Sequence, residues 1–113
     1  MTDWLSVPEF ADRLGVKASH VRELLRERHL VATRTGANKA VSLPADFLIE
    51  TDEGVGIVPT LRGTITVLAD AGLDDDAVVA WLLAEEAELG MSPIAALRAG
   101  QRAHVRRIAQ TLV

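Results

Sequence analysis

The chain has 113 residues, about half of them apolar and a quarter charged, with twelve Lys and Arg against sixteen Asp and Glu. That length suits about one domain with a real core, and the composition is globular rather than disordered. There is no cysteine, which excludes disulfides, thiolate nucleophiles and cysteine-based metal sites, and no apolar run approaches the ~20 residues of a membrane span.

The start, Met1-Thr2-Asp3-Trp4, lacks the basic and apolar regions of a signal peptide, so a cytoplasmic protein without membrane association is expected. Ser6-Val7-Pro8-Glu9 then combines an N-cap serine, an early proline and a glutamate three residues on, all helix-start signals. Val7, Phe10, Ala11 and Leu14 are its apolar stripe and Gly15 its stop, giving a first helix of about two turns. A second helix restarts near Ser19, a cap or first-turn residue, and runs to about Arg28 with Val21, Leu24 and Leu25 inward.

Two β-compatible runs, 31–34 and 39–43, flank Thr35-Gly36-Ala37-Asn38 and predict a hairpin. Pro44 opens a short helical segment to about Ile49, and Thr51-Asp52-Glu53-Gly54-Val55-Gly56 is the best linker candidate. The second half reads as entirely helical. Thr60 caps a helix to about Ala71, ended by Gly72, and Asp74-Asp75-Asp76 opens another through Trp81 to about Leu89. Ser92-Pro93 opens a short helix to Ala99, and Gln101 to Leu112 is the last. The expected architecture is mainly α: a winged helix-turn-helix with a small β-hairpin wing at 1–50, and a helical bundle at 57–113 packed on it or linked to it.

Charge is distributed unevenly. Residues 13–39 hold seven Lys and Arg against Glu23 and Glu27, a local +5, whereas 50–90 hold ten carboxylates against Arg62, a local −9. At about 100° per residue, Ser19, Arg22, Glu23 and Arg26 fall on the side of the second helix away from Val21. Lys17 and Ala18 sit at its N-terminal end, the end that approaches base edges in helix-turn-helix docking. Arg34 and Lys39 flank the hairpin turn, where cations clamp phosphate oxygens without reading sequence. A solvated polar face would have the same composition; the order helix, turn, helix, basic hairpin favours double-stranded DNA. The expected contacts are Lys17, Ser19, His20, Arg22, Glu23, Arg26, Arg34 and Lys39. Glu23 is the group that would accept from a cytosine amino group or restrain a neighbouring arginine. A single small footprint binds weakly, so a homodimer or adjacent sites are expected.

The run Trp4-Leu5-Ser6-Val7-Pro8-Glu9-Phe10-Ala11-Asp12-Arg13-Leu14-Gly15-Val16, continuing through Val21-Arg22-Glu23-Leu24-Leu25, resembles the start of excisionase-like and MerR-type winged-helix domains. The whole chain, with Val58-Pro59-Thr60-Leu61-Arg62-Gly63 and Pro93-Ile94-Ala95-Ala96-Leu97-Arg98-Ala99-Gly100, resembles a small actinobacterial DNA-binding protein family. The resemblance implies a second helix that reads DNA, a hairpin wing and a role in transcription regulation. One mycobacterial member is a serine/threonine-kinase substrate, so it also implies a Ser/Thr protein kinase as partner and a phosphoprotein, with Thr33 and Thr35 near the wing. The long coiled-coil helix and effector domain of MerR-type regulators are not visible here, so effector sensing is not carried over. The C-terminal motif is more loosely similar to the end of Xre/ParS-type antitoxins, which leaves a protein-interaction module as the alternative.

Other features read as structural. An acidic run at a helix start is explained by capping and the helix dipole. Gly54-Val55-Gly56 lacks the context of a dinucleotide loop, and His20, His29 and His104 lack metal-ligand spacing. Trp81, with Val78, Leu82 and Leu89, reads as core, and Trp4 is expected to pack ahead of the first helix. Arg98, Arg102, Arg106 and Arg107 form a second cationic strip, expected to pair with Glu85, Glu86 and Glu88 rather than to extend the DNA footprint. No catalytic constellation stands out, so no enzyme, cofactor or metal is expected.

Overall fold

In the computed structural model, which describes residues 2–35 and 40–112, the first helix begins where its signals place it. Ser6 Oγ accepts from the Glu9 N–H at 3.2 Å, and Glu9 Oε1 accepts from the Ser6 N–H at 2.9 Å. This closed capping box heads α1 (Val7–Leu14). Gly15 ends the helix at φ +80°, donating to the Ala11 and Asp12 carbonyls, and a Cβ in that left-handed geometry would cost ~1–2 kcal/mol. α2 (Ala18–Arg26) follows, ending two residues before the expected Arg28. There Arg28 turns left-handed at φ +60°, and the His29 N–H returns to the Leu24 carbonyl at 2.9 Å while that of Arg28 reaches Leu25. This is the Schellman closure that glycine usually makes.

The wing strands are β2 (Thr33–Thr35) and β3 (Ala40–Pro44), antiparallel with Arg34 opposite Val41. Residues 36–39, which hold most of the expected hairpin turn and Lys39, lie outside the described residues. A strand that no sequence signal announces, β1 (Trp4–Ser6), pairs with β3 and sets Leu5 opposite Leu43 in a sheet of order β1-β3-β2. Three residues are too few for periodicity to show. Strand alternation sends Leu5 inward and its neighbours outward, so Trp4 is 40 % exposed and does not pack as expected.

The middle of the chain corrects two expectations. The short helix after Pro44 is a single 3₁₀ turn, Ala45–Phe47, and the supposed linker is a second hairpin, β4 (Leu48–Thr51) with β5 (Gly54–Ile57). Its polar turn residues close it: Thr51 Oγ1 donates to the Gly54 carbonyl at 2.8 Å and accepts from the Glu53 N–H at 3.2 Å. Leu48, paired with Ile57, is buried, and the Val58 N–H reaches the Phe47 carbonyl at 2.9 Å. A stretch rich in glycine and acid in sequence is thus ordered by a side chain reaching its own backbone.

The remaining elements are α3 (Leu61–Asp70), α4 (Asp75–Leu83), α5 (Pro93–Arg98) and α6 (Arg102–Gln110). Asp74 and Ser92 cap α4 and α5 as read, accepting from Ala77 and Ala95 N–H groups at 2.9 and 3.2 Å. Thr60 takes the N-cap position of α3 as expected, but its side chain does not cap the helix. It sits left-handed at φ +70°, its hydroxyl turned back to the Pro59 carbonyl, because it closes a turn in which the Leu61 N–H bonds the Val58 carbonyl at 3.2 Å. α4 stops at Leu83, well before Leu89. Glu86 pairs with Met91 instead, and that reversal brings Leu89 back into the core. Helix propensity in 84–88 yields to that burial. One cluster of buried side chains runs from Leu5, Phe10 and Val21 through Phe47 and Leu61 to Leu82, Ile94 and Val105, so both halves share a core. Trp81 is half-buried against it.

The capping box carries a pH signature. The Ser6 backbone N–H, then its hydroxyl, hold the Glu9 carboxyl below its ordinary value, and Arg13 acts in the same direction. A depressed folded-state pKa contributes stability above the unfolded-state pKa and loses it as pH falls through the folded one. Carboxyl NMR should therefore show Glu9 titrating below a free glutamate. Ser6→Ala should move it partway back and lower stability by ~1 kcal/mol in urea.

Candidate nucleic-acid interface

α2 is held from within by one fully buried residue, Val21, with Leu24 and Leu25 partly buried against the core. Its other side is open. Lys17, just ahead of the helix, and Ser19, His20, Arg22, Glu23 and Arg26 along it are all exposed, and by helical angle Ser19, Arg22, Glu23 and Arg26 share the side opposite Val21. Lys17 occupies the N-cap position with extended backbone and no side-chain cap, which makes Ser19 a first-turn residue rather than the cap.

Arg34 lies exposed on β2. Together with Val41 of β3 it lines a crevice of about 200 Å³ that also touches Leu25 of α2, so the wing strands stand beside the second half of that helix. Lys39 lies outside the described residues. Glu23 is exposed and ends in no ion pair among the described residues.

Two residues that sequence reading assigned only to capping have a larger part. Asp75 Oδ1 lies 3.3 Å from Arg28 Nη2, at the exit of α2. Asp76 Oδ1 accepts from Thr33 Oγ1 at 2.7 Å, at the root of the wing. The head of α4 thus ties together the two elements that carry the candidate contacts. The partners lie more than forty residues apart, and only their opposite charge and polarity hinted at the pairing. Among the described residues no three His, Asp or Glu side chains gather into a cluster that could hold a metal ion. Likewise, no described helix is long and apolar enough to cross a membrane.

Comparison with known proteins shows the family and the fold of the chain. Residues 1–48 match a model described as "DNA-binding protein Rv2175c, wHTH domain". Residues 58–113 match one described as "Rv2175c C-terminal domain of unknown function". The DNA-binding protein Rv2175c of Mycobacterium tuberculosis is 32 % identical over 118 residues, covering 94 % of this chain and 77 % of the relative. The chain belongs to the Rv2175c family. The NMR structure of Rv2175c superposes with a TM-score of 0.82 at 33 % identity, over 97 % of this chain and 80 % of that one. The winged helix-turn-helix of the N-terminal part is therefore a family feature, and the helical C-terminal part travels with it.

The exit of α2 generates a stability test. Arg28 bears a left-handed backbone worth ~1–2 kcal/mol against any side chain, while its exposed ion pair with Asp75 contributes only ~0–1 kcal/mol. Arg28→Gly should accordingly be more stable than Arg28→Ala by ~1 kcal/mol in urea denaturation. Equal stabilities would show that the Arg28 backbone carries no strain.

Proposed function

We propose that this chain is a sequence-specific DNA-binding protein acting as a transcriptional regulator, with no catalytic role. α2 enters the major groove and the β2–β3 wing rests on phosphates or the minor groove. Lys17, Ser19, His20, Arg22, Glu23 and Arg26 make the groove contacts, and Arg34 and Lys39 those of the wing. The observation that carries this reading is the single outward surface of α2. Its polar residues are all exposed, while Val21 and the head of α4 hold the helix in place. The name of the mycobacterial relative, a DNA-binding protein, supports it.

In this reading residues 1–50 form the unit that touches DNA, and 57–113 brace it and provide a surface for pairing into a homodimer, which a small footprint needs for tight binding. A Ser/Thr kinase as regulator follows from the family resemblance alone. Thr33 would be a sensitive target, because its hydroxyl is bonded to Asp76 and a phosphate of about −2 charge would face that carboxylate as well as the DNA.

Fluorescence anisotropy with duplexes selected from a genomic library tests the proposal. Arg22→Ala and Arg26→Ala should each weaken binding. A residue that grips phosphate should also lower the slope of log affinity against log salt by about one. Glu23→Gln should alter the preferred base at one position and leave the salt slope unchanged. Affinity untouched by all three substitutions would sink the proposal.

A further inference from the structure

The cationic strip of the last helix does not do what the sequence suggests. Among the described residues the ion pair found is Arg28 with Asp75, so Arg102 and Arg106 have no carboxylate partner, and Glu86 instead accepts from the Glu88 N–H at 3.3 Å. Arg98 turns to the first half of the chain, where its Nη1 donates to the Asp46 carbonyl at 3.0 Å and to that of Leu48. Arg102 and Arg106, one helical turn apart and both exposed, flank a cleft of about 280 Å³ between α6 and α3, with Thr60, Gly63 and Thr64 on its other side. A second opening of about 310 Å³ continues from it past Thr60 and Arg102 to Arg98. No carboxylate lines either.

Two guanidiniums at i, i+4 repel one another, and here no acid offsets that repulsion, although residues 50–90 of the same half carry a local −9. The other polar groups of the cleft are already engaged: Thr64 Oγ1 donates to the Thr60 carbonyl at 3.1 Å, and the Thr60 hydroxyl to Pro59. At Gly63 there is no side chain, and a Cβ there would meet nothing within 4 Å, so the approach to the arginines is open. The geometry points to a phosphate-binding cleft between α3 and α6, with Arg102 and Arg106 as its donors and the phosphodiester backbone of duplex DNA as its occupant. Planar guanidinium forks match phosphate oxygens. The cleft is open to solvent, offers no aromatic platform, and its threonine hydroxyls already spend their protons on backbone carbonyls, so it suits a repeating backbone and adds grip without reading sequence. The choice of DNA as occupant rests on the function proposed above; the cleft itself does not.

The test is a titration of ¹⁵N-labelled protein with a duplex of about two turns and, separately, with inorganic phosphate, in wild type and in an Arg102→Ala/Arg106→Ala double variant. With the duplex, amides of Gly63, Thr64 and Ala103 should shift together with those of Ser19, Arg22 and Glu23. In the variant the first group should stay still while the second still moves, and the salt slope of binding should fall by about two. Both arginines are exposed, so an otherwise unchanged spectrum will show that the variant is folded. Shifts in the cleft without shifts in α2 would support the cleft and overturn the reading helix. Shifts in α2 alone would overturn the cleft, and no shift in either would overturn both. A cleft that answers to inorganic phosphate but not to the duplex would overturn DNA as its occupant.

Discussion

The interface depends on a nine-residue helix that buries a single side chain completely. Such a helix is not stable in water by itself. α2 persists because Val21 is locked into the core that α1 shares, with Leu24 and Leu25 partly covered, and because both its ends are fixed from outside. Gly15 sets the turn into it. At its exit the left-handed Arg28 closes the last turn and reaches across to Asp75. The exposed positions of the helix are thereby released from structural duty, which is what leaves Ser19, His20, Arg22, Glu23 and Arg26 open to solvent.

Much of this was legible because local chemistry announces itself. Ser6 and Glu9, Gly15, Asp74 and the Ser92-Pro93 pair each marked a helix end by a mechanism confined to a few residues, and each ends or begins a helix where it was read. The outward face of α2 followed from helical periodicity alone. What escaped were features decided at a distance. β1 exists only because β3 pairs with it, and β4–β5 only because Thr51 closes the turn and Leu48 finds the core. α4 stops short because burying Leu89 outweighs the helix propensity of the glutamates before it. Thr60 misled for the same reason, since the demands of the turn at 58–61 override its capping chemistry.

Charge was read correctly in its segregation and incompletely in its use. The basic stretch and the acidic half do not simply avoid one another. Asp75 and Asp76 of the acidic half reach Arg28 and Thr33 of the basic one. The exit of α2 and the root of the wing are thereby referred to a common anchor at the head of α4.

The hairpin at 48–57 has a consequence for anyone wishing to dissect the chain. A cut placed in what looks like a linker would separate β4 from β5 and leave an unpaired strand edge beginning with the buried Leu48, the kind of edge that recruits other chains. It would also strip Arg98 from the carbonyls of Asp46 and Leu48. A fragment ending near residue 50 would therefore be a poor surrogate for the N-terminal half. The place where the sequence looks easiest to divide is a seam that the fold has stitched shut.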